Sequence, residues 1–502
     1  MRRERCWSAS SRGWDSAWIE RGPRGAAPKG EHMTTLIKNG TVVSATGRHT
    51  AEVLVDGTTI SAVLQPGSAA ATSAESGAER VIDATGRYVV PGGIDCHTHM
   101  ELPFGGTFAS DTFEIGTRAA AWGGTTTIVD FAVQKTGENV RDSLETWQAK
   151  AEGQCAVDYA FHMILGGVDE AALKEMDALV GEGITSFKLF MAYPGVFYSD
   201  DGQILRAMQK AADNGALITM HAENGIAIDV LSEQAAARGQ TDPVYHGITR
   251  PSRMEGEATN RAIQLALVAG APVYFVHLSA SEALERVAEA RDAGYNVFAE
   301  TCPQYLYLNL EDHLGLPGFA GAGYVCSPPL RTKEHTHHKD LWRGLRTNDL
   351  AIVATDHCPF CMKDQKELGK DDFRAIPNGI GGVEHRMDLI YQGVVMGELS
   401  LERWVETCST TPARMFGMYP QKGVIAPGSD ADIVLYDPSA RTEISVDTHH
   451  MSMDYSAYEG TTIDGKVDTV MSKGRILIED GAYHGQKGHG AYLRRGLSTY
   501  LQ

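Results

Sequence analysis

From residue 34 to residue 90 apolar and polar positions alternate in short runs, as in "TLIKNGTVVSATG", "AEVLVDGTTISAVLQPG" and "RYVVPGG". A period of two broken by Gly, Asn and Pro predicts short antiparallel strands. The texture returns near the end in "ADIVLYDP" and "KVDTVMSKGRILIEDG". Residues 33–88 and 415–482 are therefore expected to form one small β-sandwich, with 483–502 as a C-terminal tail. Residues 66–79, rich in Ala, Ser and Gly, read as a loop.

The middle of the chain has another rhythm. Continuous apolar runs recur at 92–99, 125–132, 158–165, 184–191, 216–223, 272–279, 295–302 and 351–358. Helix-periodic stretches such as "GQILRAMQKAADNG" and "SEALERVAEARDAG" separate them. Eight buried strands with crossover helices predict an α/β fold, a (β/α)8 TIM-like barrel over residues 89–414. A doubly wound open sheet is the alternative, but no glycine-rich phosphate loop follows an early strand.

Composition narrows the partners. A formal charge of -19 argues against nucleic acid and anionic membrane. No apolar run approaches the ~20 residues of a membrane span. Eight scattered cysteines show no disulfide framework, which suits a reducing cytoplasm. "CPFC", Cys358 to Cys361, is a lone CxxC and reads as two ordinary thiols. Residues 1–32, with six arginines and three of the seven tryptophans, differ from the rest and are expected to be a disordered extension.

In a barrel of this kind chemistry sits at the C-terminal strand ends. The first run ends in His97 and His99, whose side chains point the same way because strand side chains alternate. Lys188 lies inside the apolar run "ITSFKLFM", an unusual place for an ammonium. His221, His277 and Asp356 occupy the ends of the fifth, sixth and eighth runs. One such histidine alone is more often a hydrogen-bonded structural residue. Four imidazoles and a carboxylate at one mouth suit a borderline divalent metal, zinc first. "EHTHHKD" (334–340) reads as a surface helix, and His357 as a residue behind the ligands at most.

From about residue 34 onward the chain resembles the cyclic amidohydrolases of the dihydropyrimidinase and hydantoinase family. The resemblance rests on "PGGIDCHTHMELPFGGTFASDTFEIGTRAAAWGGTTTIVDFA", "SFKLFMAYPGVFYSDDG", "MHAEN", "VHLSA", "CSPPLR", "ATDHCPF", "PNGIGGVEHRM" and "GVIAPGSDADIVLYDP", in order. It implies ring opening of 5,6-dihydropyrimidines and 5-substituted hydantoins to N-carbamoyl amino acids. It implies two divalent metals, most simply Zn2+: His97, His99 and Asp356 on the more buried one, His221 and His277 on the other. Lys188 would bridge them as N6-carboxylysine, burial having lowered its amine pKa and supplied the neutral nucleophile for carbon dioxide. A hydroxide between the metals would attack, with Asp356 as base and then acid. Tyr193 would support the oxyanion. Ser327 and Asn378 would grip the imide edge, mostly through main-chain groups, and Leu102, Phe104 and Phe197 would meet the ring substituent. A homotetramer is implied as well.

Neighbouring families fit less well. A dihydroorotase-like chain calls for an arginine just after the paired histidines, and "HTHMELPFGG" has none. Allantoinase-like chains lack the tyrosine that follows the lysine strand. A non-catalytic scaffold relative would have lost ligands, and all six positions are intact here.

Overall fold

A computed structural model describes residues 33–501. The disorder expected of residues 1–32 lies outside the described residues. Eight parallel strands run in sequential order: Gly93–Thr98, Thr125–Val133, Asp158–Ile164, Ser186–Phe190, Leu217–His221, Val273–Phe275, Val297–Thr301 and Ile352–Val353. A bridge between Thr98 and His357 brings the last strand's continuation back to the first. Every strand residue is buried, as expected of strands covered on both faces. The fold is the expected TIM-like barrel, with the small sandwich built from both chain ends.

The helix Asp201–Asn214 shows how the outer layer forms. Asp200 and Gln203 close a capping box at its start, and Gly215 at φ 78° ends it. Ile204, Ala207, Met208 and Ala211 recur at helical spacing and are its buried stripe.

The sandwich comprises a four-stranded sheet from the N-terminal segment and a seven-stranded sheet that joins both ends. In the latter, Ile433–Glu443 pairs antiparallel with Tyr88–Pro91, Leu435 opposite Val89. Val53, Val55, Ile60, Val89, Ile433 and Leu435 share one core.

Three expectations change. Residues 66–79 are not a loop: Ala69–Gly77 is helical, and the Ser68 side chain caps it by accepting from the Ala71 amide at 3.1 Å. A run of alanines needs only that cap to favour a helix. In "EHTHHKD" the helix begins at His337, which is buried rather than on the surface. Its Nδ1 accepts the Ser281 amide at 3.0 Å, satisfying the start of the helix Ser281–Asp292. The last apolar run is strand only over Ile352–Val353. The end of the chain runs beside the third strand, exchanging Tyr159 N–H to Ala491 O and Leu493 N–H to Tyr159 O at 3.1 and 2.8 Å. Buried Arg495 donates there to Phe161 O and Ser186 Oγ. Among the described residues no helix is long and apolar enough to cross a membrane.

Candidate active site

The C-terminal strand ends open into a pocket of about 470 Å³. His99, Lys188, His221, His277, Asp356, Tyr193, Ser327 and Asn378 all line it, together with Leu102, Phe104, Phe197 and Cys358. His97 lies just beneath, fully buried. Residues nearly 280 positions apart are thus brought to one place by strand order alone.

The ligand atoms of His97, His99 and Asp356 lie within 4.8 Å of one another, a spacing that one divalent ion can span. His97 Nε2 and His99 Nε2 stand 3.1 and 3.3 Å from Asp356 Oδ1. The His221 and His277 rings are 4.5 Å apart between centroids, at 74°. Lys188 Nζ is 3.0 Å from His97 Nε2 and 4.3 Å from the centre of the Phe131 ring.

Burial governs the charges. It pulls the Lys188 amine down to about 8, although Asp356 and Glu300 pull the other way. His99 falls to about 3, chiefly through burial, and His277 also lies well below the usual imidazole value, first through burial and then through His221. These two rings are therefore neutral, the form a metal requires. Asp356 stays well below the carboxylate range despite its burial, because His97 and His99 face it. Burial disfavours the ammonium at Lys188, although ring faces and an imidazole lie against it, and makes the neutral amine accessible. The donor set of four imidazoles, a carboxylate and that amine fits a metal pair.

Carboxylates the sequence reading passed over hold two of the rings. Glu300 Oε1 lies 2.5 Å from His97 Nδ1, leaving Nε2 toward Asp356 and Lys188. Glu223 Oε2 lies 2.8 Å from His221 Nε2, which frees Nδ1. Each fixes a tautomer and an orientation. Glu300 carried the same signal as Lys188, a charged residue within an apolar strand run.

Tyr193 sits just past the fourth strand at φ 60°. Burial raises the pKa of its hydroxyl, and Ser327 and Asn378 are its hydrogen-bonding neighbours. Asn378 Nδ2 donates to Ser327 Oγ at 3.1 Å. Phe104 meets the Tyr193 ring edge-on at 5.4 Å and lies parallel to Phe197 at 6.4 Å. His357 points away from the pocket: its Nε2 is 2.9 Å from Asp111 Oδ2 and its Nδ1 accepts the Gly382 amide at 3.1 Å. Cys358 and Cys361 are unpaired thiols.

Residues 88–477 match the amidohydrolase family. The chain belongs to that family. Within it, a D-hydantoinase of Streptomyces coelicolor is 62% identical over 467 residues, 93% of this chain and 99% of the relative. The crystal structure of dihydropyrimidinase from Brevibacillus agri superposes with a TM-score of 0.89 at 47% identity, covering 93% of this chain and 99% of that one. L-hydantoinase (dihydropyrimidinase) from Arthrobacter aurescens gives 0.82 at 29% identity, covering 92% and 100%. This amidohydrolase is an enzyme of the cyclic-amide branch.

Proposed function

We propose that this amidohydrolase opens 5,6-dihydropyrimidines and 5-substituted hydantoins by hydrolysis of a ring amide, giving N-carbamoyl amino acids, with preference for the D-configured hydantoin. One observation carries the reading. A single pocket joins the metal-ligand set to Tyr193, Ser327 and Asn378, in a chain 62% identical to a D-hydantoinase. The relative named for the L-configuration is far more distant, at 29%.

His97, His99 and Asp356 would hold one divalent ion and His221 and His277 the second, with Zn2+ the first candidate for this donor set. Lys188 would bridge them as a carbamate: its neutral amine adds to carbon dioxide and loses one proton. When bound, such ions supply Lewis acidity and bring the pKa of water toward ~7.

The chain's own groups do the rest. Ser327 and Asn378 hold the planar imide edge. Tyr193, protonated at any working pH, donates to the carbonyl oxygen as negative charge grows there. Asp356 takes the proton of the attacking water while the new C–O bond forms, then gives it to the ring nitrogen as the C–N bond breaks. Leu102, Phe104 and Phe197 surround the ring substituent. The enzyme works in the cytoplasm as a homotetramer, the first reading supported by cysteines with no disulfide framework and the second by the family resemblance.

The test is a panel of dihydrouracil, dihydrothymine, hydantoin and racemic aryl-hydantoins on zinc-loaded protein, with products resolved by chiral chromatography. N-carbamoyl-D-amino acids are expected. Inert metal-loaded protein removes the reading, and an L-product removes the stereochemical part alone.

A further inference from the structure

Lys366 is buried, as Lys188 and Lys422 are, and the mechanism above makes no use of it. It opens the short turn Lys366–Gly369 in the long connection after the eighth strand. All three hydrogen bonds of its Nζ go to main-chain carbonyls: Val325 O at 2.9 Å, Pro377 O at 2.7 Å and Gly379 O at 2.9 Å. An ammonium would fill all three bonds and a neutral amine two, and burial draws this amine down to about 7, so both forms grip the carbonyls.

The positions of the acceptors give the cage a meaning. Val325 lies two residues before Ser327, and Pro377 and Gly379 flank Asn378. The Gly379 amide also donates to Val325 O at 2.9 Å, so both loops meet at the atom the lysine grips. Gly379 stands at φ 155° with its α-carbon against Cys358 O, where a Cβ would approach to 2.1 Å. The loop that carries Asn378 is thus pinned on one side by the continuation of the eighth strand and on the other by Lys366. The result is the 3.1 Å approach of Asn378 Nδ2 to Ser327 Oγ.

We propose that Lys366 is a positioning residue for substrate: its Nζ ties the loops of Ser327 and Asn378 into one imide-binding frame. The inference rests on the reading of those two residues as the imide-binding pair. A lysine that only filled the core would bond wherever acceptors happened to lie. Here all three bonds bracket the two polar residues that face the ring edge. Loss of the clamp lets the loops separate, so ground-state binding suffers first. Metal ligation, carried by other strand ends, is left in place.

Lys366→Met keeps the length of the side chain and removes every donor. Hydrogen–deuterium exchange on the metal-loaded variant should rise in residues 324–328 and 376–380 together. KM for hydantoin and dihydrouracil should rise about tenfold or more, the scale on which small misplacements act, with kcat reduced much less and metal content unchanged. In an Asn378→Ala background the same substitution should raise KM little further, because both changes disable one frame. If Lys366→Met does not fold, Lys366→Leu, which also has no donor, carries the same measurements. Unchanged exchange in the two loops overturns the clamp whether or not hydantoin is a substrate. Raised exchange with unchanged KM, or full additivity with Asn378→Ala, overturns its link to substrate. Failure of wild-type protein to hydrolyse any ring removes the functional reading instead, and the exchange data still decide the clamp.

Discussion

Replacing Glu300 tests whether the carboxylate beneath the site sets metal affinity. Its two oxygens accept from His97 Nδ1 at 2.5 Å, the Tyr274 hydroxyl at 2.7 Å, the His277 amide at 3.2 Å and Cys96 Sγ at 3.5 Å. Glu300→Gln fits the same space but has one acceptor oxygen. That oxygen can face His97 or Tyr274, and the other donor then meets an NH2 group. A hydrogen bond to a charged group is worth ~1.5–3 kcal/mol net, and here one is lost or loses its charge. Because His97 is a proposed ligand, much of that loss should appear in its hold on metal. The expected weakening is about 10–100-fold in affinity, the usual size for a partner behind a ligating histidine. Competition with a chromogenic zinc chelator measures it, with thermal melts confirming a folded variant. Tyr274→Phe is the control, since it removes a bond to Glu300 without touching His97. A folded Glu300→Gln protein whose zinc affinity stays within about twofold of wild type would refute the argument, being far below the charged-bond scale. Glu300 would then serve as a core acceptor for Tyr274 and no more.

Lys188→Ala should lose metal and activity together, with elemental analysis reading the first and hydantoin turnover the second; full turnover would end the bridging role. Tyr193→Phe should lower kcat by about 10²–10³-fold with metal content unchanged, the range for removal of one oxyanion donor. Stability should fall in mild acid. Burial, then Arg495, hold His162 well below the usual imidazole pKa, between Ser186 Oγ and Cys96 O at 2.5 and 3.0 Å. A depressed histidine contributes stability that is complete above ~6.5 and declines as pH drops below it, by up to about 1.4 kcal/mol per unit. His162→Gln should therefore show a shallower loss of urea resistance than wild type between about pH 7 and pH 5, and parallel curves would contradict the assignment.

The barrel was legible because each strand lies within a continuous apolar run, although the regular strand can be far shorter than its run, as at Val273–Phe275 and Ile352–Val353. The six proposed ligand positions stood out together because imidazole or charge recurs in or at the end of several such runs, which packing alone does not call for. Other features were hidden for definite reasons. The helix at Ala69–Gly77 uses residues that serve loops and helices equally, and only the Ser68 cap separates the two. His337 is buried by the approach of Ser281, a contact across 56 positions that no local pattern encodes. Lys366 lies in an irregular stretch where lysine is ordinary, and its meaning depends on carbonyls from two other loops. Glu300 was readable and passed over. The rule that singled out Lys188, a charge where a strand should be apolar, applies to it without change.

The backbone adds an argument independent of side-chain identity. His277, Asp356 and Tyr193 have φ values of 40°, 52° and 60°, a region that costs a non-glycine residue ~1–2 kcal/mol. Each stands two or three residues beyond the last regular position of its strand, Phe275, Val353 and Phe190. There the ladder has ended and one left-handed residue can turn its side chain over the barrel mouth. Each is held by bonds that leave little alternative. The His277 amide donates to Glu300 Oε1. Next to Asp356, the Thr355 hydroxyl donates to Asp95 Oδ2 at 2.5 Å. Tyr193 O receives the amides of Val196, Phe197 and Tyr198 at 3.0, 3.1 and 3.2 Å. Glycine would relieve the strain at all three positions and could supply none of the chemistry. Strain of this kind that the surroundings enforce points to a role for the side chain where that side chain also lines the pocket. Nine described non-glycine residues have positive φ, and of these His277, Asp356 and Tyr193 line the pocket, so backbone strain and pocket together mark two proposed ligands and the proposed oxyanion donor.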